Sequence, residues 1–221
     1  MGSDPGSKTS RKGRDLVARG QTPFVERCPW GGIGDAEYTR YHDEEWGVPL
    51  THDVRLFEKL VLEGFQSGLS WLTILKKRDN FRRAFHDFDA VRISRYGEND
   101  KARLMADAGI VRNRLKIEAT IDNAKAYLAL SKKQPLSVLL WGFLDGGPIV
   151  HQRASMKDVP AQTDLSKRIS KALKAEGFRF VGPTTVYAFM QSSGMVNDHM
   201  VTCHRHAPCA ALQRKMKVPH A

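Results

Sequence analysis

Residues 107–114 read Asp-Ala-Gly-Ile-Val-Arg-Asn-Arg and lie between two stretches with the apolar spacing of helices. Gly109 is expected to permit a positive φ angle and a close approach of the backbone to a ligand. If the second helix begins near Arg112, its free N–H groups and its dipole form an anion site. Arg112, Arg114 and Lys116 would then add positive charge to that site.

This turn fits two interpretations. A helix-hairpin-helix unit grips a DNA phosphate in this way without reading the base sequence. An ordinary corner between two helices with a solvated basic face fits the same residues, and one glycine-containing turn is weak evidence. A second basic cluster over residues 76–83 slightly favours nucleic acid, although a solvent-facing helix explains it equally well.

Most of the remaining sequence carries helical patterns. Apolar residues recur at three- and four-residue spacing after Asp53, which suits an N-cap, after Gly68 and along residues 115–128. Gly182-Pro183 places a proline in a first helical turn, and Gly194 suits the residue after that helix. No alternating apolar run is flanked by hairpin turn residues. We therefore predict an all-α fold.

The composition indicates a globular protein. The chain has 221 residues, of which 41% are hydrophobic and 27% charged, unlike a disordered or membrane protein. No apolar run approaches about 18 residues, and residues 1–20 lack the apolar segment of a secretory signal. We expect a disordered basic tail over 1–22, one helical body with two lobes over 23–206, and a basic tail over 207–221. A long connection between helices is expected over residues 144–162.

Charge and cysteine content narrow the cellular setting. The formal net charge is +11, and more than half of this excess lies before residue 31 or after residue 203. Such charge favours attraction to a polyanion without identifying a site. Cys28, Cys203 and Cys209 are too few and too scattered for a disulfide framework, so a reducing cytosol is the default. We expect a cytoplasmic protein that does not bind membranes.

Two cysteines and two histidines make a candidate metal set. His199 and Cys203 are four residues apart, so a helix or tight turn would place them on one face. Cys28 and His42 form a second pair near the N-terminus. Together the four residues suit a closed, tetrahedral, structural Zn²⁺ site. Spacing alone favours the other interpretation, in which the two pairs are unrelated.

A third pattern combines aromatic rings with one carboxylate. Residues 62–71 read Leu-Glu-Gly-Phe-Gln-Ser-Gly-Leu-Ser-Trp, and Tyr38 and Tyr41 precede them. Aromatic faces around Glu63 would suit a flat, cationic ligand that donates hydrogen bonds. Taken alone, the pattern favours Trp71 in the core and Glu63 at a solvated helix end.

These motifs, in this order, resemble the 3-methyladenine DNA glycosylase I family. The resemblance covers Cys28 to about Cys203, and its signature segments are 41–49, 62–71, 106–110, 177–182 and 196–199. It implies a helix-hairpin-helix DNA glycosylase fold. It also implies hydrolysis of the N-glycosidic bond of 3-methyladenine in alkylated double-stranded DNA, which releases the base and leaves an abasic site. The protein would be a monomer, associated with the nucleoid of a bacterium.

The resemblance also implies roles for individual residues. One structural Zn²⁺ would join the chain ends through Cys28, His42, His199 and Cys203. The base pocket would consist of Tyr38, Tyr41, Glu63 and Trp71. The DNA contacts would come from a loop that fills the gap left by the extruded nucleotide and from the hairpin, that is, from Gln66, Ser67, Gly68, Leu69, Gly109, Ile110, Arg112 and Arg114.

The expected mechanism depends on the charge of the damaged base. Methylation at N3 leaves the attached adenine positively charged, so Trp71 and Tyr41 would stack on it while Glu63 accepts hydrogen bonds. Glu63 is therefore expected to recognise the base more than to act as an acid or base. Binding the ground-state cation does not itself accelerate bond cleavage, because the charge moves to the sugar in the transition state. Asp122, the nearest acid after the hairpin, fits a solvated helix face better, and the water-activating group stays unassigned.

Two other classes of function remain open. One is a catalytically silent module that binds alkylated DNA, and the other is a hydrolase in which zinc activates water. No lysine stands beside the pocket motif in the sequence, so a lyase step through a Schiff base is not expected.

Overall fold

The prediction of a helical protein is confirmed by the computed structural model, which describes residues 25–31 and 34–219. The N-terminal tail predicted over 1–22 lies outside the described residues. Within the described residues the helices are α1 (Ala36–Glu44), α2 (Asp53–Gln66), α3 (Trp71–Leu75), α4 (Arg78–Ala84), α5 (Ala90–Ile93), α6 (Glu98–Ala106), α7 (Arg114–Ser131), α8 (Leu136–Trp141), α9 (Asp164–Ala175), α10 (Pro183–Ser192) and α11 (His206–Lys215), with short 3₁₀ turns at His86–Phe88 and Met156–Asp158. None of the helices in this part of the chain is long and apolar enough to cross a membrane.

The all-α expectation needs one small correction. Strands β1 (Ile149–Val150) and β2 (Val196–Asn197) pair in parallel, with Ile149 opposite Val196. Strand β1 lies within the predicted 144–162 connection, and its pairing with β2 fastens this connection to the segment after α10. Strands of two residues have no periodicity, so the sequence pattern could not reveal them.

Helix α2 lies at the centre of the molecule and packs against α3, α7, α8 and α10. Asp53, the expected N-cap of α2, is instead its first residue and serves a different helix. Its carboxylate accepts hydrogen bonds from the backbone N–H groups of Leu136 (3.0 Å) and Ser137 (2.9 Å). These are free donors at the start of α8, so one carboxylate joins two helices that are distant in sequence.

The buried apolar residues form a main core and a smaller cluster. The main core surrounds α2 and includes Phe57, Leu60 and Phe65. The smaller cluster contains Cys28 and Tyr41 from the N-terminal part of the chain, together with Trp46, Leu75, Met200 and Cys203. The division of the body into two lobes stays a prediction.

The hairpin between α6 and α7 differs from the expectation in two respects. Helix α7 begins at Arg114, later than predicted, because Asn113 caps it by accepting a hydrogen bond from the Lys116 backbone N–H (3.1 Å). Gly109 does not have a positive φ angle. Glycine is needed there for close packing, since a Cβ atom would lie 2.8 Å from Asp107 Oδ1 and 3.1 Å from Asn80.

The basic tail predicted over residues 207–221 is largely a helix. Helix α11 buries Cys209, Ala210 and Gln213, and the Gln213 side-chain amide donates to the carbonyl of Gly194 (2.9 Å). The short apolar face is difficult to see in the sequence among basic residues. Only residues 216–219 follow this helix in the described part of the chain.

The end of α10 confirms the role predicted for Gly194. The N–H of Gly194 bonds to the carbonyl of Gln191 and the N–H of Met195 to that of Met190, which is the Schellman arrangement. Gly194 has a φ angle of +71°, and an added Cβ would lie 2.5 Å from backbone atoms of Val48 and Pro49. This close contact fixes the segment before α2 against the end of α10.

We therefore expect Gly194→Ala to lower the free energy of unfolding by about 2–5 kcal/mol, because both the left-handed backbone and the overlap disfavour a side chain. Urea unfolding measures this change. Gly146→Ala is the control, since its Cβ would meet nothing within 4 Å and its φ is not positive. Equal effects of the two substitutions would show that the contact is not tight.

Candidate functional site

A cavity of about 280 Å³ opens beside the C-terminal half of α2. Its walls combine aromatic rings with two carboxylates, from Trp30, Tyr38, Tyr41, Trp46, Glu63, Gln66, Trp71 and Asp198. The four residues predicted for a base pocket therefore line one cavity. Helix α1 supplies the two tyrosines, α2 supplies Glu63, and the start of α3 supplies Trp71.

The aromatic walls include two tryptophans that the sequence analysis did not assign to the pocket. The ring centroids of Tyr41 and Trp71 are 5.4 Å apart, and those of Trp30 and Trp46 are 4.9 Å apart. Trp30 follows Cys28 by two residues, and Trp46 follows His42 by four. The sequence signal that could have identified these tryptophans is their short distance along the chain from the predicted metal ligands. A structure that holds those ligands in place also holds the neighbouring rings.

Glu63 is buried, with 3% of its surface exposed, and does not lie at a solvated helix end. Helix α2 continues past Gly64, where a side chain would press on Phe180. The carboxylate accepts a hydrogen bond from Ser192 Oγ (2.8 Å). Burial raises the pKa of Glu63 to about 7, although the charge of Lys59 and the Ser192 bond oppose this shift. The ionised form of such a buried carboxylate is stabilised when a ligand brings positive charge or hydrogen-bond donors.

Lys59 corrects the expectation that no lysine stands beside the pocket. It lies one turn before Glu63 on α2, and its Nζ is 5.5 Å from the centroid of the Tyr41 ring. Burial lowers the pKa of Lys59, while the nearby carboxylates of Glu63 and Glu45 act in the opposite direction. Lys59 lines a neighbouring cavity of about 320 Å³ rather than the one lined by Glu63. Among the described residues, no lysine lines the Glu63 cavity itself.

Asp198 is a second carboxylate at the cavity, which the sequence analysis placed only within a motif. Four donors hold it: His151 Nδ1 (2.7 Å), Arg153 Nε (3.0 Å), the Tyr187 hydroxyl (2.5 Å) and Gln191 Nε2 (2.8 Å). Burial alone would raise the pKa of Asp198, but these hydrogen bonds outweigh it and hold the pKa far below its usual range. Asp198 is therefore ionised, and its charge is paired with that of Arg153.

The four predicted metal ligands come together and are all buried. Their ligand atoms lie within 4.8 Å of one another. Cys28 Sγ is 3.5 Å from His199 Nδ1, and Cys203 Sγ is 3.6 Å from both His199 Nδ1 and His42 Nε2. The cluster joins chain segments that are 171 residues apart. Spacing alone favoured two unrelated pairs, and the structure contradicts that interpretation.

The cluster fits a tetrahedral zinc site. Bond lengths of about 2.3 Å to sulfur and about 2.05 Å to nitrogen, at tetrahedral angles, place S and N about 3.6 Å apart. The outer nitrogens of both histidines have partners, since His42 Nδ1 lies 2.8 Å from Asp43 Oδ1 and His199 Nε2 lies 3.0 Å from the Trp46 carbonyl. Such outer contacts orient metal-ligating histidines.

The predicted DNA-contact residues lie in different environments. Gln66 reaches the cavity, and Leu69, which follows Gly68 with a φ angle of +80°, is 42% exposed. Ser67 is exposed as well. The side chain of Ile110 is buried in the main core, so only its backbone is available to DNA.

The predicted anion site at the start of α7 is weaker than the sequence indicates. Arg112 is exposed, but Arg114 forms ion pairs with Glu98 (3.0 Å) and Glu118 (2.9 Å). Lys116 points inward and is buried. The positive charge expected at this helix end is therefore reduced to Arg112.

The basic cluster at residues 76–83 and the acidic residue Asp122 are both paired with neighbouring groups. In the 76–83 cluster, Lys76 pairs with Asp35, Arg78 with Glu45, and Arg82 with Glu58, while Lys77 and Arg83 bond to the 108–109 backbone and to Asn80. Asp122 is partly exposed and pairs with Arg179 (2.6 Å). The cluster therefore fastens α4 to its neighbours, and Asp122 lies at the surface as expected.

Comparisons with known proteins identify the family of the chain. A model of the methyladenine glycosylase family matches residues 30–206. DNA-3-methyladenine glycosylase 1 of Escherichia coli K12 is 49% identical over 180 residues, covering 81% of this chain and 96% of its own length. DNA-3-methyladenine glycosylase of Haemophilus influenzae is 48% identical over 187 residues, covering 84% and 98% respectively.

Solved structures of 3-methyladenine DNA glycosylase I also match this chain. One of 3-methyladenine DNA glycosylase I matches with a TM-score of 0.80 at 48% identity, covering 82% of this chain and 100% of that chain. A structure on 3-methyladenine recognition by the Staphylococcus aureus enzyme matches with a TM-score of 0.77 at 36% identity, covering 80% and 95%. The resemblance seen in the sequence is thus confirmed: the chain belongs to the methyladenine glycosylase family and is an N-glycosyl hydrolase.

Proposed function

We propose that this enzyme hydrolyses the N-glycosidic bond of 3-methyladenine in alkylated double-stranded DNA, releases the free base and leaves an abasic site. The observation that carries the proposal is the buried carboxylate of Glu63 within an aromatic cavity. The names of the relatives, which specify DNA and 3-methyladenine, support it. We also propose that the α6–α7 hairpin is the DNA-binding hairpin of a helix-hairpin-helix glycosylase.

The cavity suits a single base rather than a larger ligand. Its volume of about 280 Å³ lies at the lower limit of pockets for drug-sized molecules, which are roughly 300–1,000 Å³. Tyr41 and Trp71 offer faces on which a purine can stack. Glu63 then accepts hydrogen bonds from the base, and the charge of the methylated purine compensates the cost of keeping this carboxylate ionised.

Selectivity follows from charge. Unmodified adenine is neutral, so it leaves the buried Glu63 carboxylate without the opposite charge that the methylated base supplies. A hydrogen bond to a charged group contributes roughly 1.5–3 kcal/mol, which corresponds to about 10- to 150-fold. Extrusion adds to the discrimination, because a damaged and poorly paired base costs less to rotate out of the duplex.

Methylation at N3 already weakens the N-glycosidic bond, and the cleavage step depends on this weakening. As the bond breaks, positive charge moves from the base to the sugar, and Asp198 lines the same cavity, although Arg153 partly neutralises its charge. Four hydrogen-bond donors occupy the Asp198 carboxylate, so we do not assign it the role of a base. The water-activating group stays unassigned.

On the DNA side, we propose that the 66–69 loop enters the gap left by the extruded nucleotide. The exposed Leu69 side chain is the apolar group available to stack there. The backbone of Gly109 and Ile110, together with Arg112, would contact phosphates beside the lesion. Arg114 would join them by exchanging its exposed ion pairs with Glu98 and Glu118 for a phosphate.

We propose that Cys28, His42, His199 and Cys203 hold one structural Zn²⁺. Four protein ligands leave no open position for water, which argues against a zinc-activated hydrolase. When bound, the ion supplies a cross-link between the two ends of the enzyme. Since Trp30 and Trp46 are adjacent to these ligands in sequence, the cross-link also fixes two walls of the base cavity.

The purified protein is expected to release free 3-methyladenine from duplex DNA treated with a methylating agent, as measured by chromatography of the soluble bases. A silent DNA-binding module would retain the DNA and release none.

The product DNA is expected to break only after alkali treatment, because none of the described lysines lines the base cavity and Lys59 lines a neighbouring one. Borohydride added during the reaction should trap no covalent complex between protein and DNA. A trapped complex that disappears in Lys59→Met would contradict the monofunctional mechanism.

We expect Glu63→Gln to lower excision of 3-methyladenine by about 10- to 150-fold while stabilising the fold at high pH. The pKa of Glu63 rises from 4.5 to about 7 on folding. Its ionisation therefore opposes folding as the pH rises through this window. The stability gain of the variant should be near zero at about pH 4 and reach on the order of 3 kcal/mol above pH 7.

Thermal unfolding across this pH range measures the effect. The control is Glu98→Gln, which removes an exposed carboxyl whose pKa is lowered by Lys101 and should give no gain. A Glu63→Gln gain that does not depend on pH would contradict the buried charge.

For the metal, we expect about one zinc per chain by elemental analysis, and near zero in Cys203→Ala, with a lower unfolding temperature. Cys209→Ala is the matched control, because this cysteine is buried outside the cluster and should leave the zinc content unchanged. Full zinc content in Cys203→Ala would rule out the ligand assignment.

A further inference from the structure

Lys116 is buried, although its position in the sequence predicts a positive charge available to an anion at the start of α7. It lies in the first turn of α7, yet it is 7% exposed and faces the protein interior. Its Nζ donates hydrogen bonds to the backbone carbonyls of Phe65 (2.8 Å) and Ser67 (2.6 Å). Helix α7 is thereby joined to the C-terminal end of α2.

The carbonyls of Phe65 and Ser67 lie at the start of the 66–69 loop, which is proposed to enter the gap left by the extruded nucleotide. Gln66 lies between them and reaches the base cavity. After Ser67 the chain leaves the helix, Gly68 takes a φ angle of +80°, and a Cβ at Gly68 would meet nothing within 4 Å. The exposed Leu69 is held to this turn by a bond from its N–H to the carbonyl of Gln66 (2.6 Å). The amine of Lys116 is thus the side chain that anchors an otherwise open loop.

The other end of Lys116 belongs to the hairpin. Its backbone N–H donates to the Asn113 side chain (3.1 Å), which caps α7 directly after the turn. A single residue therefore touches both segments that are proposed to contact DNA.

Keeping a lysine buried here has a cost. Burial lowers the pKa of Lys116, and none of the described carboxylates forms an ion pair with it. The partners that remain are two carbonyls at a helix C-terminus, where the helix dipole favours a cation. A methionine of similar length would fill this space without that cost, but it would donate nothing to the loop.

We propose that Lys116 is a positioning residue for duplex substrate, which fixes the 66–69 loop at a set distance from the 107–113 hairpin so that both engage one DNA duplex together. The proposal rests on the proposed function of the cavity and the loop. Lys116 does not line the cavity, so it acts on the DNA through the position of the loop, above all of Leu69, and it affects the cavity only indirectly, through Gln66.

The test compares Lys116→Met with the wild-type enzyme in two assays. We expect kcat/KM for 3-methyladenine release from methylated duplex to fall about 10- to 100-fold, since small misplacements of groups that position a substrate cost this much. The dissociation constant of free 3-methyladenine should stay within about twofold, because Glu63 and the aromatic walls are untouched. Equal losses in both assays would overturn the proposal in favour of a general structural defect.

Salt dependence separates positioning from direct phosphate binding. If Lys116 contacted a phosphate, its loss would reduce the slope of log affinity against log salt by about 1. We expect no change in slope for Lys116→Met, and a reduction would overturn the proposal. Lys125→Met is the matched control, because Lys125 is exposed on the same helix and its loss removes the same charge while leaving duplex kcat/KM near that of the wild type.

Two further variants keep the test decisive. In a Leu69→Ala background, Lys116→Met should add less than about threefold, since the positioned side chain is already gone. If Lys116→Met does not fold, Lys116→Gln replaces it, because the glutamine side chain is one bond shorter and is not expected to join both carbonyls. A duplex kcat/KM equal to that of the wild type would then refute the proposal. If the wild-type protein releases no base, the proposed function fails. An active wild type with an unaffected Lys116→Met overturns only the role of Lys116.

Discussion

A buried carboxylate at the wall of an aromatic cavity is the constraint on which the site depends. Glu63 lies inside the protein with one hydrogen bond, from Ser192, and its pKa is raised to about 7. Alone, this arrangement is unfavourable, because the charged form has lost its solvation. It becomes favourable when a cationic, flat ligand fills the cavity beside Tyr41 and Trp71. The free-energy cost of ionising Glu63 without a ligand is thus the physical basis of selectivity. The same buried carboxylate makes the folded protein less stable.

The rest of the fold keeps the walls of this cavity in place. The Cys₂His₂ cluster joins segments 171 residues apart, and Trp30 and Trp46 sit beside its ligands. The Schellman turn at Gly194 presses the end of α10, which carries Ser192, against the segment before α2. Asp53 ties α2 to α8. The Gly194 contact holds the segment directly before α2 and the Asp53 bonds hold its first residue, so a shift of the helix that carries Glu63 would disturb both.

The sequence predicted the helical class, the clustering of two cysteines with two histidines, and four residues that line one cavity, because these depend on apolar periodicity and on a specific combination of motifs. The binding of a metal and of a base at these residues stays a prediction. The sequence could not predict what depends on distant packing. Lys116 was counted as a surface charge although it is buried, and Lys59 was overlooked although it lies one turn before Glu63. The charges of the 76–83 cluster looked free, but Asp35, Glu45 and Glu58 neutralise three of them. Such pairings are decided by tertiary contacts that a single sequence does not show.

The central claim is that the base is recognised by a buried carboxylate whose ionisation is unfavourable until the base is bound. The most direct test is an NMR titration of the Glu63 side-chain carbon, alone and with 3-methyladenine. The account predicts a pKa near 7 in the free enzyme and a clear decrease when the base is bound, because donors from the ligand favour the ionised form. An ordinary pKa near 4.5 that the ligand leaves unchanged would contradict it.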